Sequence, residues 1–174
     1  MLHRNNFARC ILRDLSSPKY SAFTIRYRRH AAVLDCYVQL RAIDDLAKLK
    51  IIAFFDTGAM ISAISKECAL LLGAEEIGSI RMRGFTGVEL VPQYIVDVEL
   101  PNQVEISTLV VAESKSLGAN SKGEPYGFLI GMDILKFGDL ALNHADDYTS
   151  LSFRIPSLNH VDYVEEYRRD FPDE

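Results

Sequence analysis

The sequence is poor in the residues on which metal sites and disulfide frameworks depend. It has no tryptophan, three cysteines and four histidines among 174 residues. Cys10, Cys36 and Cys68 cannot all pair, and their spacing is not that of a metal site, which favours a reducing compartment and hence a cytoplasmic protein. The histidines are scattered along the chain, so no metal site is predicted.

Long apolar runs and an excess of positive charge are missing as well. No stretch approaches the roughly 18 consecutive apolar residues of a membrane helix, so a stable membrane span is not expected. The net charge of −5 argues against a dedicated nucleic-acid surface. The composition, 48% apolar and 25% charged, is that of an ordinary globular chain, and the length fits one domain.

Composition and periodicity divide the chain into three regions. Residues 1–30 have no clear apolar period and are predicted to be an N-terminal extension. Residues 31–157 consist of short apolar runs separated by turn residues, which predicts an all-β domain with a closed or sandwiched sheet. Residues 158–174 are charged with spaced aromatics, so a solvated tail is expected, with a short amphipathic helix as the alternative.

The first half of the central region predicts three strands and one helix. Apolar and polar residues alternate over 34–40, which indicates a half-buried strand, whereas the continuous apolar run 50–55 is typical of a strand covered on both faces. Residues 59–65 are predicted to form a further strand. Ser65 is a plausible N-cap for a short helix that Gly73 would end.

The second half predicts a hairpin, a long loop and a second short helix. Two glycines bracket an aromatic at Gly84-Phe85-Thr86-Gly87, between two strand-like segments, which indicates a hairpin. Residues 112–126 are rich in Ser, Gly, Lys and Asn, and a loop of this length is usually functional or mobile. A short helix is expected over 132–138, with two more strands after it.

Asp56-Thr57-Gly58 is a polar triplet inside the apolar stretch IIAFFDTGAMISAIS, residues 51–65. A carboxylate at the end of a buried strand is costly unless it is hydrogen-bonded, paired or protonated. Gly58 permits close backbone approach and its N–H can bond the carboxylate, while the Thr57 hydroxyl can bond neighbouring backbone. The triplet therefore predicts a carboxylate held on a stiff turn. A merely structural surface turn is the alternative, because such tripeptides recur by chance.

Three features stand in the same order as in a known protease family. They are Phe54-Phe55-Asp56-Thr57-Gly58-Ala59, the glycine-bearing hairpin at 84–87, and Leu129-Ile130-Gly131-Met132-Asp133. Together they resemble the retropepsins, the retroviral-type aspartic proteases, and their bacterial relatives. The resemblance spans roughly residues 32–155 and implies a closed β-barrel or sandwich with a flap hairpin and one or two short helices, active as a homodimer.

The resemblance implies a role for each matching residue. Asp56 matches the catalytic aspartate, Thr57 the residue that ties the paired loops together, and Gly58 the glycine that supports the carboxylate. Ala59 and the flap tip would contact substrate; the flap tip consists of Gly84, Phe85, Thr86 and Gly87. Three residues would support the site. Ile130 and Gly131 would pack beneath the turn, and Asp133 would have a structural role at the helix start.

Two positions depart from the family pattern. Many retroviral members have an arginine at the position of Met132 and use it in an intersubunit ion pair, which methionine cannot form. The flap tip, with Arg83 and Phe85, is bulkier and more cationic than the glycine-dense tips common in the family. Both departures bear on assembly and substrate preference.

A single Asp-Thr-Gly is half of what aspartic peptidase chemistry needs. Two carboxylates must share one proton, so the resemblance implies a homodimer with one Asp56 from each subunit. Water would be the nucleophile and a polypeptide the substrate, with no cofactor. The alternative is a non-catalytic peptide-binding or dimerisation module on the same fold.

Because Ala59 cannot donate a hydrogen bond to the ionised carboxylate as serine could, we expect the activity to have its optimum nearer neutral pH than in an enzyme with Asp-Thr-Gly-Ser.

Overall fold

A computed structural model describes residues 21–28, 33–42, 48–84, 87–145 and 147–172. This part of the chain is mostly β-structure, with three short α-helices and one turn of 3-10 helix at Pro101–Gln103. The elements are β1 (Ser21–Arg28), β2 (Asp35–Ala42), β3 (Leu49–Phe55), β4 (Ala63–Ser65), α1 (Lys66–Leu72), β5 (Glu76–Gly84), β6 (Gly87–Leu100), β7 (Val104–Ser114), β8 (Phe128–Ile130), α2 (Met132–Leu135), β9 (Asp139–Ala145), β10 (Tyr148–Ile155) and α3 (Tyr163–Asp170).

Six strands close into a barrel, as the sequence predicts. The order is β2-β3-β8-β4-β7-β6, and β6 pairs back with β2 to complete the ring. Parallel pairing joins β3 to β8 and β4 to β7, while β4 and β8 are antiparallel. The predicted hairpin is β5–β6, which extends from the barrel because β5 pairs only with β6.

A second sheet of three strands has the order β1-β10-β9. β1 pairs with β10 along its whole length, from Ser21 opposite Ile155 to Arg28 opposite Tyr148. Ser21–Arg28, which belong to the predicted N-terminal extension, thus form a strand. Its alternation of Phe23, Ile25 and Tyr27 with polar residues was the available signal, since such a period indicates a half-buried strand.

The core lies between the barrel wall, α1 and the inner face of the three-stranded sheet. Apolar side chains that alternate along β2, β6, β7 and β10 point into it, as the period of two requires. Its largest fully buried members are Phe128, Phe153, Leu40, Ile64, Ile106, Ile130, Ile134 and Leu151.

Several element predictions can be compared with the structure directly. β2 buries Cys36, Val38 and Leu40 and leaves the residues between them more exposed, as predicted. β3 differs, because only Ala53 of that strand is buried. The strand expected over 59–65 is confined to Ala63–Ser65, since residues 57–61 turn instead. The Ser65 hydroxyl caps α1 by accepting from the Cys68 N–H at 3.2 Å, and Gly73 ends the helix in the left-handed conformation.

The tail contains α3, which corresponds to the helical alternative. The Asp162 carboxylate caps it by accepting from the N–H groups of Val164 and Glu165 at 2.9 and 3.2 Å. None of its residues is buried. Across the described residues, no helix combines the length and apolarity needed to cross a bilayer.

Candidate active site

Asp56 follows the last residue of β3 and stands on a tight turn. The Gly58 N–H donates to Asp56 Oδ1 at 2.8 Å, and the Ala59 N–H donates to the Asp56 carbonyl at 3.2 Å. A Cβ at position 58 would lie 3.2 Å from Asp56 Oδ1, a tight contact that glycine avoids. Asp56 is half-buried, while Thr57 and Gly58 are exposed. The turn therefore presents a carboxylate, held by its own backbone, at the surface of the chain.

The turn is anchored from below by β8 and the residues after it. The Asp56 N–H donates to the Ile130 carbonyl at 2.9 Å, and the Met132 N–H donates to the Ala59 carbonyl at 2.8 Å. Gly131 lies so close that an added Cβ would be 2.9 Å from the Ile61 carbonyl carbon. Ile130 and Gly131 thus contact the backbone of the turn directly.

A buried clamp joins the turn to α2, and it includes a residue that sequence reasoning missed. Ser62 is fully buried; its hydroxyl donates to Asp133 Oδ1 at 2.6 Å and its N–H donates to Asp133 Oδ2 at 2.9 Å. The Ser62 oxygen in turn accepts the Gly131 N–H at 3.0 Å. Asp133 also accepts from the Ile134 N–H at 3.0 Å. Both oxygens of Asp133 are therefore committed to the fold. In the sequence, the one sign of this role is that Ser62 is a polar residue within an apolar run.

An apolar cleft of about 450 Å³ has Phe54 and Phe55, the two residues before Asp56, as one wall. The rings of Phe54 and Tyr126 lie 4.8 Å apart at 52°, a tilted contact that shapes the wall. The remaining lining residues are Val33, Leu34, Leu117, Gly118 and Ala119. The cleft therefore suits an apolar side chain positioned within a few residues of Asp56.

The long loop, 115–127 in the structure, supplies the other wall and is held by its own hydrogen bonds. Asn120 Oδ1 accepts from the N–H groups of Lys122 and Glu124 at 2.9 and 3.0 Å. The Tyr126 N–H donates to the Gly118 carbonyl at 3.0 Å, which closes the loop at its base. These hydrogen bonds hold the segment Leu117–Ala119 in place as a wall of the cleft.

Polar groups around Asp35 border the same cleft. The Tyr27 hydroxyl donates to the Asp35 carbonyl at 2.6 Å. Burial raises the pKa of Tyr126, with the Asp35 carboxylate and its hydrogen bond adding to the effect. Burial, with the Asp35 charge, also raises the pKa of the Cys36 thiol to about 12. That thiol is neutral at physiological pH and hence a packing group and not a nucleophile.

The hairpin predicted around residues 84–87 is β5–β6, and its role as a flap stays a prediction. Gly84 pairs with Gly87, and Arg83 pairs with Val88 next to them. Phe85 and Thr86, named as flap residues from the sequence, lie outside the described residues. The Lys115 ammonium forms an ion pair with Glu89 at 2.9 Å, which joins the hairpin to the loop that lines the cleft.

Comparison with known proteins gives structural neighbours only. No protein-family model matches the chain, and no curated protein matches it. Among solved structures, a retropepsin-like aspartic protease from Rickettsia conorii is similar with 18% identity and a TM-score of 0.47, covering 78% of this chain and 95% of that one. The retroviral protease-like domain of Ddi1 from Leishmania major has 17% identity and a TM-score of 0.39, covering 75% and 96%.

A viral structure is similar to the same extent. The foamy viral protease-reverse transcriptase in complex with an RNA/DNA hybrid has 17% identity and a TM-score of 0.42. The match covers 80% of this chain and 14% of the viral one. By name, the first is a retropepsin-like aspartic protease, the second a retroviral protease-like domain, and the third contains a viral protease.

Proposed function

We propose that this protein is an aspartic endopeptidase whose active site is completed by a second copy of the chain. The observation that carries the proposal is the Asp56 turn. A carboxylate stands at the end of a barrel strand, one oxygen accepts the Gly58 N–H at 2.8 Å, and an apolar cleft begins at the two preceding residues. A turn of this kind holds its carboxylate toward an incoming group and not toward the fold.

Peptide hydrolysis on this site requires two carboxylates that share one proton. The ionised Asp56 takes a proton from water, and the resulting hydroxide forms a bond to the scissile carbonyl carbon. The protonated Asp56 of the other copy gives its proton to the carbonyl oxygen. When the C–N bond breaks, the carboxyl group that took a proton from water gives it to the leaving nitrogen. As the C=O bond re-forms, one hydroxyl of the tetrahedral intermediate returns its proton to the other Asp56 carboxylate, and the shared-proton state is restored.

A homodimer is the arrangement that supplies the second carboxylate. The described residues contain one turn of this type, and two-fold symmetry places the same turn of the second copy opposite it. Thr57 and Gly58 are exposed in the single chain, as groups that face a partner turn must be.

The cleft indicates the substrate class. Its aromatic and aliphatic walls favour an extended polypeptide with a large apolar residue next to the scissile bond. Ala59 is half-buried in the turn and the β5–β6 hairpin extends from the barrel, so both are proposed to contact that polypeptide. Because Cys36 and Cys68 are free and buried, the fold is compatible with a reducing compartment such as the cytoplasm.

A peptide library tests the proposal directly. The pure protein is incubated with the library from about pH 3 to 8, and the products are read by mass spectrometry. We expect defined cleavages next to apolar residues, reduced by at least about a hundredfold in Asp56→Asn because a general acid–base group is lost. Asp170→Asn is the matched control, since Asp170 is an exposed residue paired with Arg169 at the surface.

Two outcomes would decide against peptidase activity. Cleavage that survives in Asp56→Asn would identify a contaminating protease. Absence of Asp56-dependent cleavage from a protein shown to be dimeric would favour the non-catalytic peptide-binding module, for which the cleft and hairpin would still be sufficient.

A further inference from the structure

Helix α3 has an apolar side that is exposed to solvent. Tyr163 and Val164 are 71% and 58% exposed, and Phe171, which follows the helix, is 53% exposed. Tyr163, Tyr167 and Phe171 are spaced four residues apart, so they form an aromatic stripe along one side of the helix. Val164 borders this stripe, and the ring centroids of Tyr167 and Phe171 are 4.8 Å apart. Clustered apolar side chains at a surface mark a site of interaction.

α3 is capped at its start but is short for a helix that stands alone. The Asp162 carboxylate accepts from the Val164 and Glu165 N–H groups, and two arginines in the last turn complement the helix dipole. The helix nevertheless has eight residues, and helices shorter than about 12 residues are marginal in water without tertiary contact. A contact along the aromatic stripe would supply the missing stability.

Both ends of the chain leave the small sheet at the same end. Ser21, the first residue of β1, pairs with Ile155, the last residue of β10. Beyond Ile155 the tail is held to β9, where Asp139 Oδ2 accepts the Leu158 N–H at 3.0 Å. Because β10 lies between β1 and β9, the two outer strands are about 10 Å apart. The segment before Ser21 and the segment that leads to α3 are therefore close where they begin.

The two terminal segments also have opposite charge. Residues 1–20, which lie outside the described residues, contain four basic side chains and one acidic one. Residues 158–174 contain six acidic side chains and two basic ones. Residues 1–20 include large apolar side chains as well, among them Phe7, Ile11 and Leu15. The first segment thus complements the α3 region in charge and in apolar surface.

We infer that residues 1–20 dock on the aromatic stripe of α3, so that the two ends of the chain form one unit beside the small sheet. The length of chain permits this contact. The residues from Cys10 to Ser21 span up to about 35 Å, and those from Leu158 to Val164 at most about 20 Å. Since the segment is tethered at Ser21, its effective concentration is high and a modest contact is sufficient. The inference does not depend on the proposed peptidase activity.

Docking of residues 1–20 holds β1 from outside the sheet. Within the described residues, β1 pairs with β10 alone, and the Asn102 side-chain amide donates to the Ala22 carbonyl at 2.8 Å. The ring of Phe23 in β1 lies 6.3 Å from that of Phe55, the residue before Asp56. A contact that restricts fraying at the start of β1 therefore also steadies the packing behind the Asp56 turn.

A spin label on Cys10 provides the first test. In the full-length protein, a nitroxide on Cys10 should reduce the intensity of the α3 amide signals in the NMR spectrum. Val164→Asp places a carboxylate beside the aromatic stripe, and we expect it to abolish this reduction. Because an acidic residue is favourable in the first turn of a helix, α3 itself should persist in that variant. Leu71→Asp is the matched control, since Leu71 is an exposed leucine of α1, and it should keep the reduction.

Disulfide formation with Cys10 provides a second test. Val164→Cys places a thiol beside the stripe, whereas Glu165→Cys places one on the opposite side of the same helix. Cys36 and Cys68 are buried, so they compete little for an oxidant. The dilute full-length variants are incubated with oxidised glutathione, and the intramolecular bond is followed by mass spectrometry. We expect it to form at least about tenfold faster in Val164→Cys, because docking brings Cys10 to that side.

The control for the disulfide test removes differences in thiol reactivity. The rate of each new thiol with a small disulfide reagent is measured in a Cys10→Ser background and divides the rate of bond formation. Equal corrected rates at positions 164 and 165 would overturn the inference, as would α3 signals that Val164→Asp leaves unchanged. A disulfide that joins two chains would also overturn it and would indicate contact between copies. Peptidase activity is tested separately with Asp56→Asn, so either proposal can fail while the other stands.

Discussion

Asp56 and Asp133 lie on either side of the same turn and differ in the hydrogen bonds that their carboxylate oxygens accept. Asp56 accepts one backbone N–H from Gly58, and no other described residue bonds its second oxygen. Asp133 accepts from the Ser62 hydroxyl and N–H and from the Ile134 N–H, so both its oxygens are occupied. Both side chains are half-buried. The number of hydrogen bonds that each carboxylate accepts, more than its burial, therefore distinguishes a carboxylate that stabilises the fold from one that is available to a partner.

Removing Asp133 should have the largest effect on stability. In Asp133→Ala the buried Ser62 hydroxyl and N–H lose their acceptor, which should lower the free energy of unfolding by about 2–3 kcal/mol. Urea denaturation at one fixed protein concentration measures this, with Asp170→Ala as a control expected to change it by less than about 0.5 kcal/mol. Asp56→Asn should resemble that control in stability. If Asp56→Asn were as destabilising as Asp133→Ala, the distinction between the two carboxylates would be lost.

Asp139 extends the comparison to a third carboxylate, at the start of β9. Hydrogen bonds from Ser157, then from the Leu158 N–H and from Arg154, hold its pKa well below the usual range. A folded-state pKa below the unfolded value of about 3.9 means that the stabilisation is fully present above that value and is lost as pH falls through the folded pKa.

The stability difference between wild type and Asp139→Asn should therefore be constant near neutral pH. It should shrink as the pH falls below about 4, because the unfolded wild-type chain then binds a proton at Asp139 that the folded chain does not. Denaturant titrations of both proteins from about pH 7 to 2.5 measure the difference. A difference that stays unchanged at the lowest pH would show that the charge of Asp139 is not what holds residues 157–159 to β9.

The smallest effect is expected at Ala59, next to the presented carboxylate. A serine there could donate to the ionised form of the Asp56 pair and favour it, so the pH–activity profile of Ala59→Ser should move toward acid. The profile is measured on one peptide found in the library, at saturating and at low substrate concentration. An unchanged profile would show that position 59 does not face the carboxylate oxygens.

Local patterns predicted much of the fold. The alternation in β2, the Ser65 cap and Gly73 end of α1, and the β5–β6 hairpin each depend on a few neighbouring residues, whose preferences act without tertiary context. Predictions failed where tertiary contacts override local preference. Residues 59–61 read as a strand, but the Ala59 carbonyl bonds the Met132 N–H, and the chain turns.

The all-β class, the Asp-Thr-Gly turn and the Gly58 N–H that bonds the carboxylate could be read from the sequence, because they depend on side-chain period and on contacts two residues apart. The tertiary structure was needed to show that Ser62 and Asp133 form a clamp, that residues 117–119 line the cleft with Phe54, and that β9 is an outer strand of the small sheet among the described residues. Those outcomes depend on which segments, far apart along the chain, become neighbours. Closure of the barrel determines which of these segments become neighbours, and local sequence patterns contain no information about it.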